Sequence, residues 1–277
     1  MNVVTLPDGE RVPALGMGTW RLGEDPARFR EEAACVRRGL DLGLKVVDTA
    51  EMYGEGRTEE FLGKALAGLR ERVFLVSKVY PHNASREGVR RACERSLRRL
   101  GTDHLDLYLL HWRGSVPLAE TVAGFQDLRA AGKIRRWGVS NFDAEDLEEL
   151  FALPGGADCT LDQVLYNVTR RGAEYDLLPW MSRHKLPLMA YSPMEQGRLA
   201  DGGALGEIAS RRGLSRWQLA LAWVLRRPDT IAIPKMAGEE HLHQNQAVHD
   251  LELTAEELAR LDAQFAPPRA KRGLEML

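Results

Sequence analysis

Three observations predict an α/β chain, read as a closed (β/α)₈ TIM barrel with an N-terminal β-hairpin and extra C-terminal helices. Short apolar runs alternate with amphipathic stretches eight times along the sequence. The length, 277 residues, lies near the ~250 typical of that barrel. Asp48, Lys78 and His111 each end an apolar run, and polar groups at the ends of successive buried strands are where parallel α/β folds build their sites. An open doubly wound sheet is the structural alternative. No linker, internal repeat or low-complexity tract breaks the pattern, so residues 1–277 read as one domain.

The elements follow in order. Val3 to Val12 reads as a hairpin turning at Pro7-Asp-Gly9. Ala14 to Thr19 is a short strand, and Phe29 to Leu42 a helix closed by Gly43. Lys45 to Thr49 is the second strand. Thr58 is expected to cap a helix running to Leu69, with Glu60 in its first turn. Val73 to Lys78 is the third strand. Ser85 should cap a helix that runs to Leu100 and stops at Gly101. Leu105 to His111 is the fourth strand, followed by a helix from Leu118 to Ala131 that stops at Gly132.

The second half repeats the alternation. Strand Arg136 to Ser140 precedes helix Ala144 to Phe151, and strand Leu161 to Tyr166 precedes helix Glu174 to Lys185. Strand Leu188 to Ser192 precedes helices near Leu205 to Arg212 and Ser215 to Arg226. Thr230 to Pro234 is the eighth strand, and Glu239 to Val248 the helix after it. Thr254 opens a last helix, with Glu257 completing a capping box. The Pro267-Pro-Arg-Ala-Lys-Arg-Gly273 stretch reads as irregular.

Composition narrows the function. The formal net charge is -2 and hydrophobic residues make up 44%, which gives no reason to invoke nucleic acid or an anionic membrane. No apolar run is long enough to span a bilayer. Cys35, Cys93 and Cys159 are isolated and odd in number, so neither a disulfide framework nor a zinc site is signalled. The expected compartment is the cytoplasm. The seven histidines form no metal pattern; His241 and His243 stand two apart on a predicted helix and do not share a face. No metal is expected. Arg86, Arg90, Arg91, Arg95, Arg98 and Arg99 read mostly as a solvated helix face beside Glu87 and Glu94.

Asp48, Tyr53, Lys78 and His111 form a coherent acid–base set. A free tyrosine is a reluctant acid, with a pKa of about 10. A nearby ammonium favours phenolate and lowers that value. Asp48 can hold Lys78 in place and charged, and His111 can orient a carbonyl or share the proton. Together they could protonate a developing alkoxide while a hydride reaches its carbon. Each residue alone is more often a surface pair, but three such residues at strands two, three and four reverse that expectation. No Gly-rich dinucleotide fingerprint or Walker loop is present, so a nucleotide cofactor would be held in some other way.

The chain resembles the aldo-keto reductase family over essentially its whole length. The resemblance is carried by Gly16-Met-Gly-Thr-Trp20, Val47-Asp-Thr-Ala-Glu-Met-Tyr-Gly54, Leu75-Val-Ser-Lys78 and the run from Ser96 to His111. Gly132-Lys-Ile-Arg-Arg-Trp-Gly-Val-Ser-Asn141, Gln163-Val-Leu-Tyr-Asn167, Ala190-Tyr-Ser-Pro193 and Ile233-Pro-Lys235 continue it. The resemblance implies a barrel that binds extended NADP(H) and reduces carbonyls, and it is strongest to bacterial reductases of methylglyoxal and other small aldehydes. It implies Tyr53 as proton donor, tuned by Lys78 and Asp48, with His111 orienting the carbonyl. It implies Ser140, Asn141 and Gln163 on the nicotinamide carboxamide, Tyr191 stacked on the ring, and Ser192 with its loop at the pyrophosphate. Lys235 would meet the adenosine phosphate, and Gln244 with Asn245 the adenine. Gly18, Thr19 and Trp20 would line the floor of the nicotinamide site.

Two departures bear on the cofactor. Met236 follows Lys235 where the family commonly has serine or threonine, and His241 stands where it commonly has arginine. Arginine is the better phosphate ligand because its planar fork is always charged. NADP(H) is expected through Lys235, with NAD(H) a weaker alternative. The segment Trp112 to Pro117 and the tail after Phe265 are short, so the pocket is expected to be open, walled by Trp20, Tyr80 and Trp112. That suits small carbonyl substrates, handled by a monomer. Two other classes stay open on sequence: a cofactor-binding regulatory subunit with little turnover, and an unrelated lyase using Lys78 as a Schiff base.

Overall fold

The first two strands, β1 (Val3–Thr5) and β2 (Arg11–Pro13), pair antiparallel as a hairpin. The computed structural model describes residues 2–236 and 238–277. Eight further strands follow: β3 (Met17–Gly18), β4 (Val46–Asp48), β5 (Phe74–Val79), β6 (Leu105–Leu110), β7 (Ile134–Ser140), β8 (Asp162–Leu165), β9 (Leu188–Tyr191) and β10 (Thr230–Ala232). Each pairs in parallel with the next. Parallel bridges Leu15 to Ala232 and Gly18 to Lys235 join the last strand to the first. The sheet is therefore a closed barrel, and the open-sheet alternative is excluded. The closure explains Gly18: a Cβ there would come within 2.6 Å of the Ile233 carbonyl.

Strand alternation then sets the chemistry of the barrel interior. Val46, Phe74, Val76, Leu107, Leu109, Leu161, Met189 and Ile231 fill it, with Val4, Leu6, Val12 and Ala14 of the hairpin closing one end. Arg136, near the start of β7, clamps that hairpin through Asp8 at 2.6 Å and Glu10 at 2.7 Å. Two residues further along the same inward face come Asp48 after Val46, Lys78 after Val76, His111 after Leu109, Gln163 after Leu161 and Tyr191 after Met189. The barrel is apolar through its depth and polar at one rim.

Among the described residues ten α-helices surround it: α1 (Phe29–Asp41), α2 (Arg57–Ala65), α3 (Arg86–Leu100), α4 (Leu118–Ala130), α5 (Ala144–Ala152), α6 (Leu177–Arg183), α7 (Gly203–Arg211), α8 (Arg216–Leu225), α9 (Glu239–Gln246) and α10 (Ala255–Gln264). Ser85 caps α3 by accepting from the Gly88 N–H, and Gly101 ends it at φ 65°. Thr254 and Glu257 form the expected capping box on α10.

Three expectations need correction. Thr58 does not cap α2; Gly56 does, at φ 92°, and the Thr58 hydroxyl donates instead to the Leu22 carbonyl. That helix ends at Ala65, not Leu69. α6 starts at Leu177, not Glu174: Gly172–Glu174 form a separate 3-10 turn, and the backbone leaves helical geometry at Asp176, φ -132°. The arginine face of α3 is mostly solvated, as expected, while Arg95 and Arg99 reach the buried carboxylates of Glu51 and Glu59.

Candidate active site

Lys78 ends the inward face of β5 and is fully buried. Its Nζ donates to Asp48 Oδ2 at 2.8 Å, the Thr49 carbonyl at 2.8 Å and the Tyr53 phenol oxygen at 3.0 Å. All three ammonium hydrogens are thus spoken for, which gives no support to Lys78 as a Schiff-base nucleophile. Tyr53 reaches the ammonium from a short turn after β4, where Gly54 and Glu55 both take positive φ. His111 lies just past β6, and its ring meets that of Tyr53 edge-on at 5.9 Å. The four residues are therefore one cluster.

Burial governs the electrostatics. It opposes charge on both Asp48 and Lys78, while their contact favours charge on both; the Lys78 ammonium ends up held above its ordinary value. Burial pushes the Asp48 carboxyl up, against the pull of Lys78 and Gln163. For Tyr53, burial outweighs the pull of Lys78 and the phenol is raised. As expected the Lys78 ammonium pulls the phenol down, but the dry site pushes it up more. Burial, then Lys78, drives His111 well below the ordinary histidine value, so its imidazole is neutral at pH 7. Its Nδ1 is a buried atom without a partner.

Opposite this cluster lies a second polar group. Ser140 Oγ donates to the Gln163 carbonyl at 2.7 Å. Asn141, at φ 59°, uses its Nδ2 on the His111 carbonyl at 3.0 Å and on Ser140 Oγ at 3.1 Å. Its Oδ1 accepts from the Tyr191 hydroxyl at 3.0 Å. Gln163 Nε2 donates to Asp48 Oδ1 at 2.8 Å, joining the two groups. What this side leaves for a ligand is acceptor capacity, on Asn141 Oδ1 and Gln163 Oε1. A primary carboxamide offers the matching N–H donors.

The rim around them divides in two. Thr19 is buried and donates to the Asp48 carbonyl at 2.8 Å, while Trp20 is 38% exposed with the Arg21 guanidinium 4.4 Å from its ring. Tyr80 packs edge-on against Trp112 at 5.7 Å, and Trp112 lies 4.9 Å from His111. Trp20, Tyr80 and Trp112 are all partly exposed, as walls of an open pocket would be. On the other side, Ser192, Glu195 and Gln196 all hold left-handed backbone, a costly conformation concentrated in one loop. Lys235 is bridged to Gly18, and burial lowers its ammonium, with Arg28 and Arg21 adding to the effect. His241 is exposed on the first turn of α9, Gln244 is half-buried, and the Nδ2 of Asn245 is buried with no partner.

Sequence reasoning missed several residues. Glu51 accepts from the Tyr80 N–H at 2.8 Å and Asn83 at 3.0 Å, and pairs with Arg95. Arg170 holds Glu195 of the strained loop at 2.9 Å and Glu275 of the tail at 2.8 Å. Asn167 also ties that loop down, through the Ser192 carbonyl and Glu195. The residues after α10 fold back so that the Leu277 backbone N–H points at the Tyr191 phenol. No sequence signal marked these pairs, whose members lie up to 105 residues apart. Among the described residues no His, Cys, Asp and Glu cluster could hold a metal, and no helix is long and apolar enough to cross a membrane.

A closed parallel barrel carrying this cluster at one rim defines a class. The chain belongs to the aldo/keto reductase family, whose profile matches residues 14–265. It is 52% identical over 271 residues to the methylglyoxal reductase YeaE of Escherichia coli, covering 96% of this chain and 95% of that one. It is 30% identical to an NADH-specific methylglyoxal reductase of E. coli, over 87% of this chain and 90% of the relative. An aldo-keto reductase of Klebsiella pneumoniae, solved in complex with NADPH, superposes with a TM-score of 0.97 at 52% identity, covering 100% of this chain and 99% of its own.

Proposed function

We propose that this protein reduces small aldehydes of the methylglyoxal and aromatic type with NADP(H), with NAD(H) a weaker alternative. One observation carries the reading: a single buried ammonium, Lys78, bonded to both Asp48 and the Tyr53 phenol beside a neutral histidine. The resemblance to methylglyoxal reductases and to an NADPH-bound structure supports it.

The residues fit the coenzyme on their own chemistry. Ser140, Asn141 and Gln163 offer acceptors to its carboxamide, Tyr191 a ring to stack on, and Gly18, Thr19 and Trp20 a floor. Ser192 and its loop would take the pyrophosphate. Lys235 and His241 would take the phosphate on the adenosine ribose. Gln244 and the unpartnered Nδ2 of Asn245 would take the adenine. When bound, the reduced coenzyme supplies a hydride to the carbonyl carbon.

The protein's own residues supply the rest. Tyr53 is protonated and gives its proton to the carbonyl oxygen as negative charge develops there. Lys78 offsets the phenolate left behind, and Asp48 keeps Lys78 in place. His111, being neutral, can donate a hydrogen bond to the same oxygen without competing as the acid. Trp20, Tyr80 and Trp112 exclude water from a small substrate but do not enclose a large one. On this reading residues 1–277 work as one domain, as a monomer in the cytoplasm.

The test follows NADPH oxidation across a panel of small aldehydes and bulky ketones. Tyr53→Phe should lose on the order of 10²–10⁴-fold in turnover while binding NADPH nearly as before. Near-normal turnover in that variant would remove Tyr53 from the mechanism. A steroid ketone outperforming every small aldehyde in kcat/KM would overturn the substrate class.

A further inference from the structure

We infer that Gln163 is a positioning residue for Asp48 and couples occupancy of the coenzyme's carboxamide pocket to the Lys78–Tyr53 pair. The inference rests on the proposed acid–base roles of those residues and goes beyond a coenzyme grip at Gln163.

Geometry orients the amide. An ionised Asp48 carboxylate can only accept hydrogen bonds, so the group facing it must be the Gln163 Nε2 donor. That contact is 2.8 Å, and Gln163 is 2% exposed. Asp48 Oδ1 is thereby occupied by Gln163 while Oδ2 is occupied by Lys78. Gln163 Oε1 accepts from no described residue. The side chain therefore has one working end and one open end. A ligand N–H donated to Oε1 polarises the amide and strengthens the Nε2 hydrogen bond to Asp48.

The line of contacts is continuous. It runs from Gln163 Oε1 through Nε2 to Asp48, on to Lys78 Nζ, and ends at the Tyr53 hydroxyl. The backbone of the same residue anchors the opposite side, its carbonyl accepting from Ser140 Oγ and the Asn141 N–H. A shift of Gln163 is thus felt on both faces of the site. The titratable groups facing Asp48 are Lys78 on β5, Tyr53 on the turn after β4 and His111 after β6. Of these, Lys78 is the charged one that bonds it.

The experiment measures kcat against pH at saturating NADPH for the wild type, Gln163→Met and Gln163→Glu. Methionine removes both ends of the amide at similar length. Glutamate keeps an acceptor for the coenzyme but sets a second carboxyl against Asp48. Loss of a hydrogen bond to a charged group should move the acidic limb up by about one pH unit, with the shift larger in Gln163→Glu, where two carboxyls share a proton. If both variants only weaken NADPH binding, or lower kcat evenly at every pH, Gln163 is a coenzyme grip or a packing residue and the coupling is wrong. Tyr53→Phe, measured alongside, separates the two ideas. Wild-type turnover in that variant sinks the proton-donor reading itself, whereas an inactive Tyr53→Phe with unmoved Gln163 profiles sinks the coupling alone.

Discussion

Glu51 accepts the backbone N–H of Tyr80 at 2.8 Å across the gap between two neighbouring strand ends. It stands three residues after Asp48, so one short loop anchors the acid cluster and braces the aromatic wall. Glu51→Ala should leave the Tyr80 N–H, Asn83 and Arg95 without their shared acceptor. The expected loss is about 1–3 kcal/mol of stability, read from the urea midpoint. KM for benzaldehydes should rise more than KM for methylglyoxal, which touches less of Tyr80. Equal changes for both would mean that Tyr80 does not line the pocket.

Lys235 and His241 should govern coenzyme choice. Lys235→Ala should weaken NADPH binding by about tenfold or more, the worth of one charge-assisted hydrogen bond, with NADH little affected. His241→Arg should tighten NADPH and leave NADH alone. Titrating both coenzymes against protein fluorescence checks this. Parallel losses for the two coenzymes would show that neither side chain reads the extra phosphate.

Asp162 faces away from the barrel interior, buried with neither carboxyl oxygen paired. The Phe142 and Gln163 amides point toward it and offset part of the cost, but burial drives it well above the ordinary carboxyl value. An acid whose folded-state pKa is raised loses stability as pH climbs from its unfolded value near 3.9. Asp162→Asn should therefore gain about 1–3 kcal/mol at pH 8 and almost nothing near pH 4. Urea unfolding at the two pH values decides it, and a gain independent of pH would point to packing instead.

Arg170→Met should leave the buried Glu195 carboxylate with only Asn167 and the more distant Arg198 as partners, inside a loop that already holds three left-handed residues. KM for NADPH should rise several-fold. The tail should also become more sensitive to trypsin after Lys271 and Arg272. Unchanged digestion would show that Glu275 does not hold the tail down.

The fold was largely legible because its punctuation is local. Ser85 and Gly101 mark both ends of α3, and Thr254 with Glu257 marks the start of α10. Thr58 misled because the hydroxyl suited to capping was drawn to the Leu22 carbonyl, 36 residues away. The strand-end residues Asp48, Lys78 and His111 were visible as polar stops to apolar runs. What joins them was not: the Gln163 to Asp48 contact spans 115 residues, and no local pattern announces a partner so distant. The net balance at the Tyr53 phenol was hidden for a related reason. Its ammonium neighbour could be named from sequence, but how dry the site is depends on packing from every strand.

The hairpin and Leu277 lie at opposite faces of the barrel, and this matters for anyone handling the protein. The hairpin plugs the face that Arg136 clamps, so a label placed on its turn would sit far from the polar rim. A label placed at Leu277 would sit beside the Tyr191 phenol and crowd the polar rim. Kinetics of protein labelled at Leu277 would therefore describe the label as well as the enzyme.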